Sequence, residues 1–385
     1  MLIDQRTGSR SVSEGRILLL SHRNLYEQEA WRGPFLELER VLTEVDAVDI
    51  IAPKQGKWFH QRKRNAQRIG KYTSIGLNPG AEKVSLEKDY ALFVTVCEKP
   101  SELLNLNAIR NWRERSRVAI CWMTEFYEHD IPYNKSVLKI LLHFDFVLFT
   151  FGRIDAFKSL LGHRVAHLPY GVDAIKFCPY PQRPSRFIDV LSIGGRAHTT
   201  HQALLRMAKD DGILYIFDTF KDLTVYDVDE HRLQLSNLAK RSRYYIVNPG
   251  SIDEPDKIGG QLEFGPRYFE GLASGTILLG DWPRNNKEFD KIFNWPDAVI
   301  HVPYGSEDIR EVICELDNDL SRQEKIRNHN IAESLSKHDW VHRWEAVLSL
   351  AKLEPLPSLM ERKQRLADIL QGLRADSLGA GVQVG

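Results

Sequence analysis

The chain has 385 residues, enough for two or three domains at ~150 residues each. It is 43% hydrophobic and 27% charged, a globular balance that excludes a mostly disordered chain. Lys plus Arg and Asp plus Glu both total 52, and a net charge of 0 argues against a partner held chiefly through nucleic-acid phosphates.

In chain order, Arg16 to Ser21, Ala47 to Ala52, Tyr90 to Cys97, Arg117 to Trp122 and Phe146 to Thr150 read as strands. Several are apolar nearly throughout, as strands buried on both faces of a parallel sheet are. Amphipathic stretches such as Glu37 to Glu44 and Ser136 to Leu142 lie between them, so the rhythm is strand, helix, strand. Lys54 to Lys71 carries seven Lys or Arg residues and no acid, with Trp58, Phe59 and His60 interleaved. It reads either as a solvated helix or loop, or as a face for anionic lipid headgroups or an anionic acceptor. Three prolines in Phe177 to Phe187 mark a linker. Beyond it, Ile188 to Ile193, Ile213 to Phe217, Tyr244 to Val247 and Thr276 to Gly280 read as a second sheet. From Glu307 the pattern is mainly helical. Trp340 and Trp344, at helical spacing, predict a helix reaching Leu350 that crosses back toward the first domain; the last ten residues read as frayed. Cys97, Cys121, Cys178 and Cys314 lie far apart and fit buried thiols in a reducing compartment rather than zinc or a disulfide framework. The first fifteen residues are polar and no apolar run approaches ~18 residues, so neither a signal peptide nor a transmembrane span is expected.

Two doubly wound domains meeting near residue 180 would place a cleft between the carboxyl edges of two sheets, where open α/β folds bind ligands. Gly194 and Gly195 follow a strand and precede a helical stretch. Their N–H groups and the helix N-terminus either face a diphosphate, or the glycines only tighten the turn. Arg196 beside them favours phosphate, because a guanidinium binds its oxygens bidentately. In Gly265-Pro266-Arg267-Tyr268-Phe269-Glu270, Pro266 suits the first helical position, while Phe269, Leu272 and Ala273 form a core face. A positive Arg267 in the first turn opposes the helix dipole, a conflict that a nearby anion removes. Pairing with Glu270 or Glu263 is the structural alternative. Asn248 follows a strand, and its loop either lines a base or phosphate pocket or makes a plain turn. Glu125 and His129 follow the strand Arg117 to Trp122 at the carboxyl edge where reactive groups collect, or belong to a surface turn ending at Pro132. His22, Arg23 and Asn24 follow the first strand and are expected to face the same cleft.

Three segments in this order resemble retaining GT-B glycosyltransferases of the "glycosyl transferases group 1" type, in the branch that includes spore-maturation-protein-like enzymes. They are Leu168 to Phe177 (LPYGVDAIKF), Ile193 to Arg196 (IGGR) and Gly265 to Gly275 (GPRYFEGLASG). The resemblance covers roughly residues 145 to 350, and the earlier part matches in layout. It implies the GT-B fold: two Rossmann-like, doubly wound α/β domains facing a central cleft. Residues 1–180 would take the acceptor, 181–350 the nucleotide-sugar donor, and 351–385 would form a C-terminal helix and frayed tail. The implied reaction moves a sugar from a UDP- or GDP-linked donor to a hydroxyl of a glycan, lipid or small molecule. Configuration would be retained, with no bound metal and no cofactor. The implied donor site comprises Gly194, Gly195, Arg196, His201, Asn248, Gly265 and Arg267, with Glu270 on the ribose; Glu125, His129 and Glu263 are the catalytic candidates. His201 stands where the family commonly has a lysine, so it either serves when protonated or leaves the phosphate charge less balanced. Glu263 falls one residue late for the family's glutamate, so either the loop shifts to present it or that contact is absent. Asp227-Val228-Asp229 and Asp317-Asn318-Asp319 lie away from this site and are not read as metal motifs. Two other readings stay open: a degenerate protein that binds nucleotide without transfer, and a GT-B-fold sugar-nucleotide epimerase. The expected compartment is the cytoplasm, with residues 54–71 in peripheral contact with the inner face of the membrane.

Overall fold

The computed structural model describes residues 15–380 apart from 27–28, 220–223 and 285, with side chains described as far as residue 376. The polar start expected of residues 1–14 and the end of the frayed tail lie outside the described residues. The strands in chain order are β1 (Ile17–Leu20), β2 (Val48–Ile51), β3 (Val84–Ser85), β4 (Tyr90–Cys97), β5 (Ile109–Arg110), β6 (Ser116–Met123), β7 (Phe146–Phe149), β8 (Val165–His167), β9 (Ile188–Ser192), β10 (Tyr215–Phe217), β11 (Ser242–Val247), β12 (Ile277–Gly280) and β13 (Ile300–His301). They build a six-stranded sheet in the order β2-β1-β4-β6-β7-β8, a five-stranded sheet in the order β10-β9-β11-β12-β13, and the small pair β3-β5. Every neighbouring pair is parallel. Each large sheet reverses its winding beside its first strand, so each has a switch point at its carboxyl edge.

Apolar runs without alternation are explained by burial on both faces. In β1, Leu18 and Leu20 pack with Phe93 and Met123, while Ile17 and Leu19 enter a second core. That second core is shared: it joins one face of the first sheet to Leu191, Tyr245 and Leu278 of the second, and to Trp340, Trp344 and Leu366. The far face of the second sheet has its own core around Val190, Tyr244 and Leu279. Strands β3, β5, β8 and β13, absent from the sequence reading, are two or three residues long, too short to show a period. Cys97, Cys121 and Cys178 are buried as expected, but Cys314 is exposed.

The helix Trp340–Ala351 does cross back. Trp340 packs edge-on against Trp122 of the first sheet at 6.0 Å, and Trp344 Nε1 donates to Asp46 at 2.9 Å. The Gly-Val-Asp of residues 171–173 explains itself at this crossing. A Cβ on Gly171 would lie 2.6 Å from the Trp340 ring. Val172 exchanges backbone hydrogen bonds with His338 and Trp340. Asp173 caps the short helix Ala174–Phe177 and accepts from Arg362 of the helix Pro357–Ala380 at 2.8 Å.

Under the crossing lies Glu37, on the helix Gly33–Val45 and 1% exposed. Its Oε1 accepts from Asp173 N at 2.8 Å and Trp340 Nε1 at 3.1 Å. Its Oε2 accepts from Arg232 Nε at 3.1 Å, Arg232 Nη2 at 2.9 Å and Lys176 Nζ at 3.4 Å. A buried charge persists only when paired and hydrogen-bonded, and removing one partner of such a pair typically costs about 3–5 kcal/mol. Glu37→Gln should therefore lower unfolding stability by about that amount. Urea denaturation checks it: a loss no larger than that of an exposed glutamate on the same helix would show that the junction does not depend on this carboxylate.

Candidate functional site

The carboxyl edges of the two sheets face one cleft, with a cavity of about 260 Å³ between them. On the N-terminal side it is lined by residues that directly follow strands: Glu98 after β4, Thr124 and Glu125 after β6, and Phe151 beyond β7. Trp31, Phe35, Tyr127 and Tyr170 complete that wall. On the C-terminal side the lining is Ile193 to Gly195 after β9, Ile246 to Asp253 around the end of β11, Glu263 to Arg267, and Tyr304. Gly194 has φ +98, a left-handed conformation that favours glycine, and a Cβ there would meet open space. Gly265 precedes the helix Pro266–Ala273 in extended conformation, so the first N–H groups of that helix are delivered beside the cavity.

Of the residues expected from sequence, Gly194, Gly195, Asn248, Gly265, Arg267, Glu125 and Glu263 line this cleft. Arg267 holds Glu270 Oε2 at 2.6 Å and keeps its side chain 24% exposed, so it is paired and still reaches the cavity wall. Glu125 opens into the cleft, yet the surrounding walls withdraw enough water to push its carboxyl up, against the pull of Lys99 and Lys257. Glu263 is 4% exposed and already engaged: it accepts from Gly152 N at 3.1 Å, Arg153 N at 3.4 Å, Gln261 Nε2 at 2.9 Å and Asn286 Nδ2 at 2.9 Å. Two of those donors belong to the N-terminal half. The displaced glutamate is thus a tie between the two walls as well as part of the cavity lining.

Three other expectations do not fit where the structure places the residues. Glu270 is 1% exposed and sits between Arg232 and Arg267, behind the cleft lining, which does not suit the ribose role. Its burial alone would raise its carboxyl; the two guanidinium groups overcome that and hold it at about 2. His129 lies outside the lining and packs on Gly259, where a Cβ would come within 2.7 Å of its own. His201 turns to Tyr215, its Nδ1 2.8 Å from the hydroxyl, and burial with the nearby Arg196 lowers its pKa. Both effects disfavour the charged form in which it would stand in for a lysine. Arg196 is drawn into an ion pair with Asp218, whose Oδ1 also accepts from Gly194 N at 3.1 Å.

His22, Arg23 and Asn24 miss the main cleft as well. His22 is buried beside Thr95 and Cys97, Arg23 pairs with Glu39, and Asn24 donates to Ala52 O at 2.9 Å. Among the described residues, His22, Cys97 and Glu102 are close enough together to hold a metal ion. However, Glu102 already accepts from Arg32 at 2.8 Å and Glu98 N at 2.8 Å, and the guanidinium opposes a further cation. Asp227 and Asp319 cap helices, and Asp317 pairs with Arg243.

Residues 227–349 match a family model described as glycosyl transferase-like. That match spans about a third of the chain, and the two parallel sheets facing a cleft have the GT-B layout. Similar solved structures include a glycosyltransferase from Rickettsia africae, 14% identical over 87% of this chain and 97% of that one, with a TM-score of 0.48. An alpha-glucosyltransferase in complex with UDP and a 13-mer DNA is 11% identical over 88% and 99%, with a TM-score of 0.49. The glycotransferase of kitacinnamycin is 12% identical over 88% and 99%, with a TM-score of 0.37. Among curated proteins none matches the chain.

Sequence reading of the cleft missed Glu98, Trp31 and Tyr127. Glu98 had a usable signal, since it directly follows β4 at the edge where ligands collect. Trp31 and Tyr127 sit in short turns with no period to expose them. Because Glu270 titrates at about 2 when folded, against an ordinary value near 4.5, its charge contributes stability that is fully present above pH 4.5. Glu270→Gln should lose about 3 kcal/mol at pH 7, and its deficit should narrow as pH falls from about 4.5 toward about 2. Urea titrations at pH 7, 5 and 3 check this, and a deficit constant with pH would deny the charge that role.

Proposed function

We propose that this chain is a glycosyltransferase that binds a nucleoside-diphosphate sugar against its C-terminal wall and transfers the sugar, with retention, to an acceptor hydroxyl at the N-terminal wall. The observation that carries the reading is the convergence of Arg267, the first turn of the helix Pro266–Ala273 and the Gly194-Gly195 turn on one cavity. Such groups stabilise the charge that develops on a departing diphosphate, usually the largest catalytic contribution, and here they would do so in place of a metal. The loop Asn248 to Asp253 and Tyr304 would receive the base, which is UDP- or GDP-type in this reading. Across the cleft, Glu125 would hold the acceptor hydroxyl, and the desolvation that raises its pKa makes it a better proton acceptor than an exposed carboxylate.

Losing a charged hydrogen bond to a largely buried phosphate costs ~1.5–3 kcal/mol, about tenfold to hundredfold in affinity. Arg267→Ala should weaken nucleoside-diphosphate binding by that factor in calorimetric titration and leave the fold intact, because Glu270 keeps Arg232. Slow release of nucleoside diphosphate from one member of a nucleotide-sugar panel, without acceptor, separates an active enzyme from a degenerate binder. Unchanged affinity in Arg267→Ala would place the diphosphate elsewhere.

We also propose that an anionic membrane surface receives the helix Phe59–Tyr72. Only Phe59, Ala66 and Gly70 of this helix are buried, so its outer face is free. Trp58, Ile69 and Tyr72, spaced for one stripe, are 63%, 38% and 62% exposed. Exposed Arg64, Arg68 and Lys71 run beside them, and Ile75 and Leu77 extend the apolar strip. Cations alone would suit any polyanion; cations around exposed aromatic and aliphatic side chains favour a lipid interface. Lys63 is different, since it lies over the Tyr26 ring at 4.2 Å. At about 1 kcal/mol per surface charge, Arg62→Ser, Arg64→Ser and Arg68→Ser together should weaken binding to phosphatidylglycerol-containing vesicles by roughly two orders of magnitude. Added salt should do the same. Equal sedimentation with pure phosphatidylcholine vesicles would defeat the proposal.

A further inference from the structure

The diphosphate seat already holds a carboxylate. Asp218 follows β10 at the carboxyl edge of the second sheet, and its side chain is 7% exposed. Its Oδ1 accepts from Gly194 N at 3.1 Å and pairs with Arg196 Nη1. It also lies near enough to Arg267 to stabilise that guanidinium. The Gly194 amide and Arg196 therefore meet on one fixed negative charge, and Arg267 feels it from farther off. We propose that Asp218 is a resident anion of the donor site, which the incoming diphosphate displaces, so that donor binding is an exchange of one anion for another. The inference rests on the reading of this wall as the diphosphate site.

The physical reason for such a residue is the empty state. Arg267 has Glu270 as its partner, but Arg196 beside the Gly194 turn would be left without an anion in a partly desolvated site. Asp218 supplies that anion, and at the same time competes with the ligand for the same donors. A diphosphate brings more charge than the single carboxylate and wins the exchange. A lone phosphate brings less advantage, so the carboxylate also sharpens discrimination in favour of diphosphates.

Asp218→Asn keeps an oxygen for Gly194 N–H and removes the charge, and inorganic pyrophosphate is the probe. In calorimetric titration at constant ionic strength, the variant should bind pyrophosphate at least tenfold tighter than wild type. Without ligand it should melt at a lower temperature, and saturating pyrophosphate should raise its melting point more than it raises that of the wild type. Asp218→Ser, which also keeps an oxygen acceptor, carries the same expectation if the asparagine variant does not fold. Affinity equal to or weaker than wild type in the folded variant overturns the exchange and leaves Asp218 only holding Arg196 in place. The underlying reading fails separately: if Arg196→Ala and Arg267→Ala leave pyrophosphate affinity unchanged, the diphosphate site is elsewhere whatever Asp218→Asn does.

Discussion

A carboxylate without solvent must be surrounded by donors, and Glu37 is the place where this requirement organises the molecule. The helix that carries it belongs to the N-terminal half. Its donors come from the Gly-Val-Asp segment that leaves the first sheet, from Arg232 of the second half, and from Trp340 of the helix that returns. Burying one negative charge at their meeting point specifies a single relative placement of these four segments, because any other leaves the charge unpaired. The shared apolar core around Trp122, Tyr245, Trp340 and Trp344 supplies most of the burial, but it is less directional.

From Glu37 an alternating row of charges runs to the ligand cavity: Arg232, then Glu270, then Arg267 at the wall. Each member is stabilised by the next, which allows a positive residue in the first turn of a helix whose dipole opposes it. Glu263 makes a further connection between the walls, through the loop after β7. The cleft is thus tied at its back by a charge network and at its edge by a carboxylate.

Much of the architecture was legible along the chain. β4 begins and ends where the sequence reading placed it, and β1, β2, β6, β7 and β12 differ from that reading by one or two residues at their ends, because doubly buried strands announce themselves as apolar runs. The glycine turn after β9 and the proline-led helix at Pro266 were equally plain, since backbone conformation there depends on local residue type. The cleft residues contributed by those turns, Gly194, Gly195, Gly265 and Arg267, followed from the same signals. Trp340 and Trp344 marked a helix with a buried face, and that much is periodicity.

The partners of the charges are another matter. Glu37 meets donors 136, 195 and 303 positions away, and Glu263 meets backbone N–H groups 110 and 111 positions away. Glu270, read by itself, is a favourable acid near a helix N-terminus; Arg232, 38 positions earlier, turns it into a buried link. Asp218 carries no motif at all, and becomes significant only when β10 brings it beside the Gly194 turn. The sequence by itself determined which segments are strands, helices and tight turns, because those depend on neighbours along the chain. Which carboxylate faces the ligand cavity and which is spent holding the fold together was decided only by the tertiary structure, because electrostatic pairing depends on distance in space and on burial, and neither is a property of a residue's neighbours in sequence.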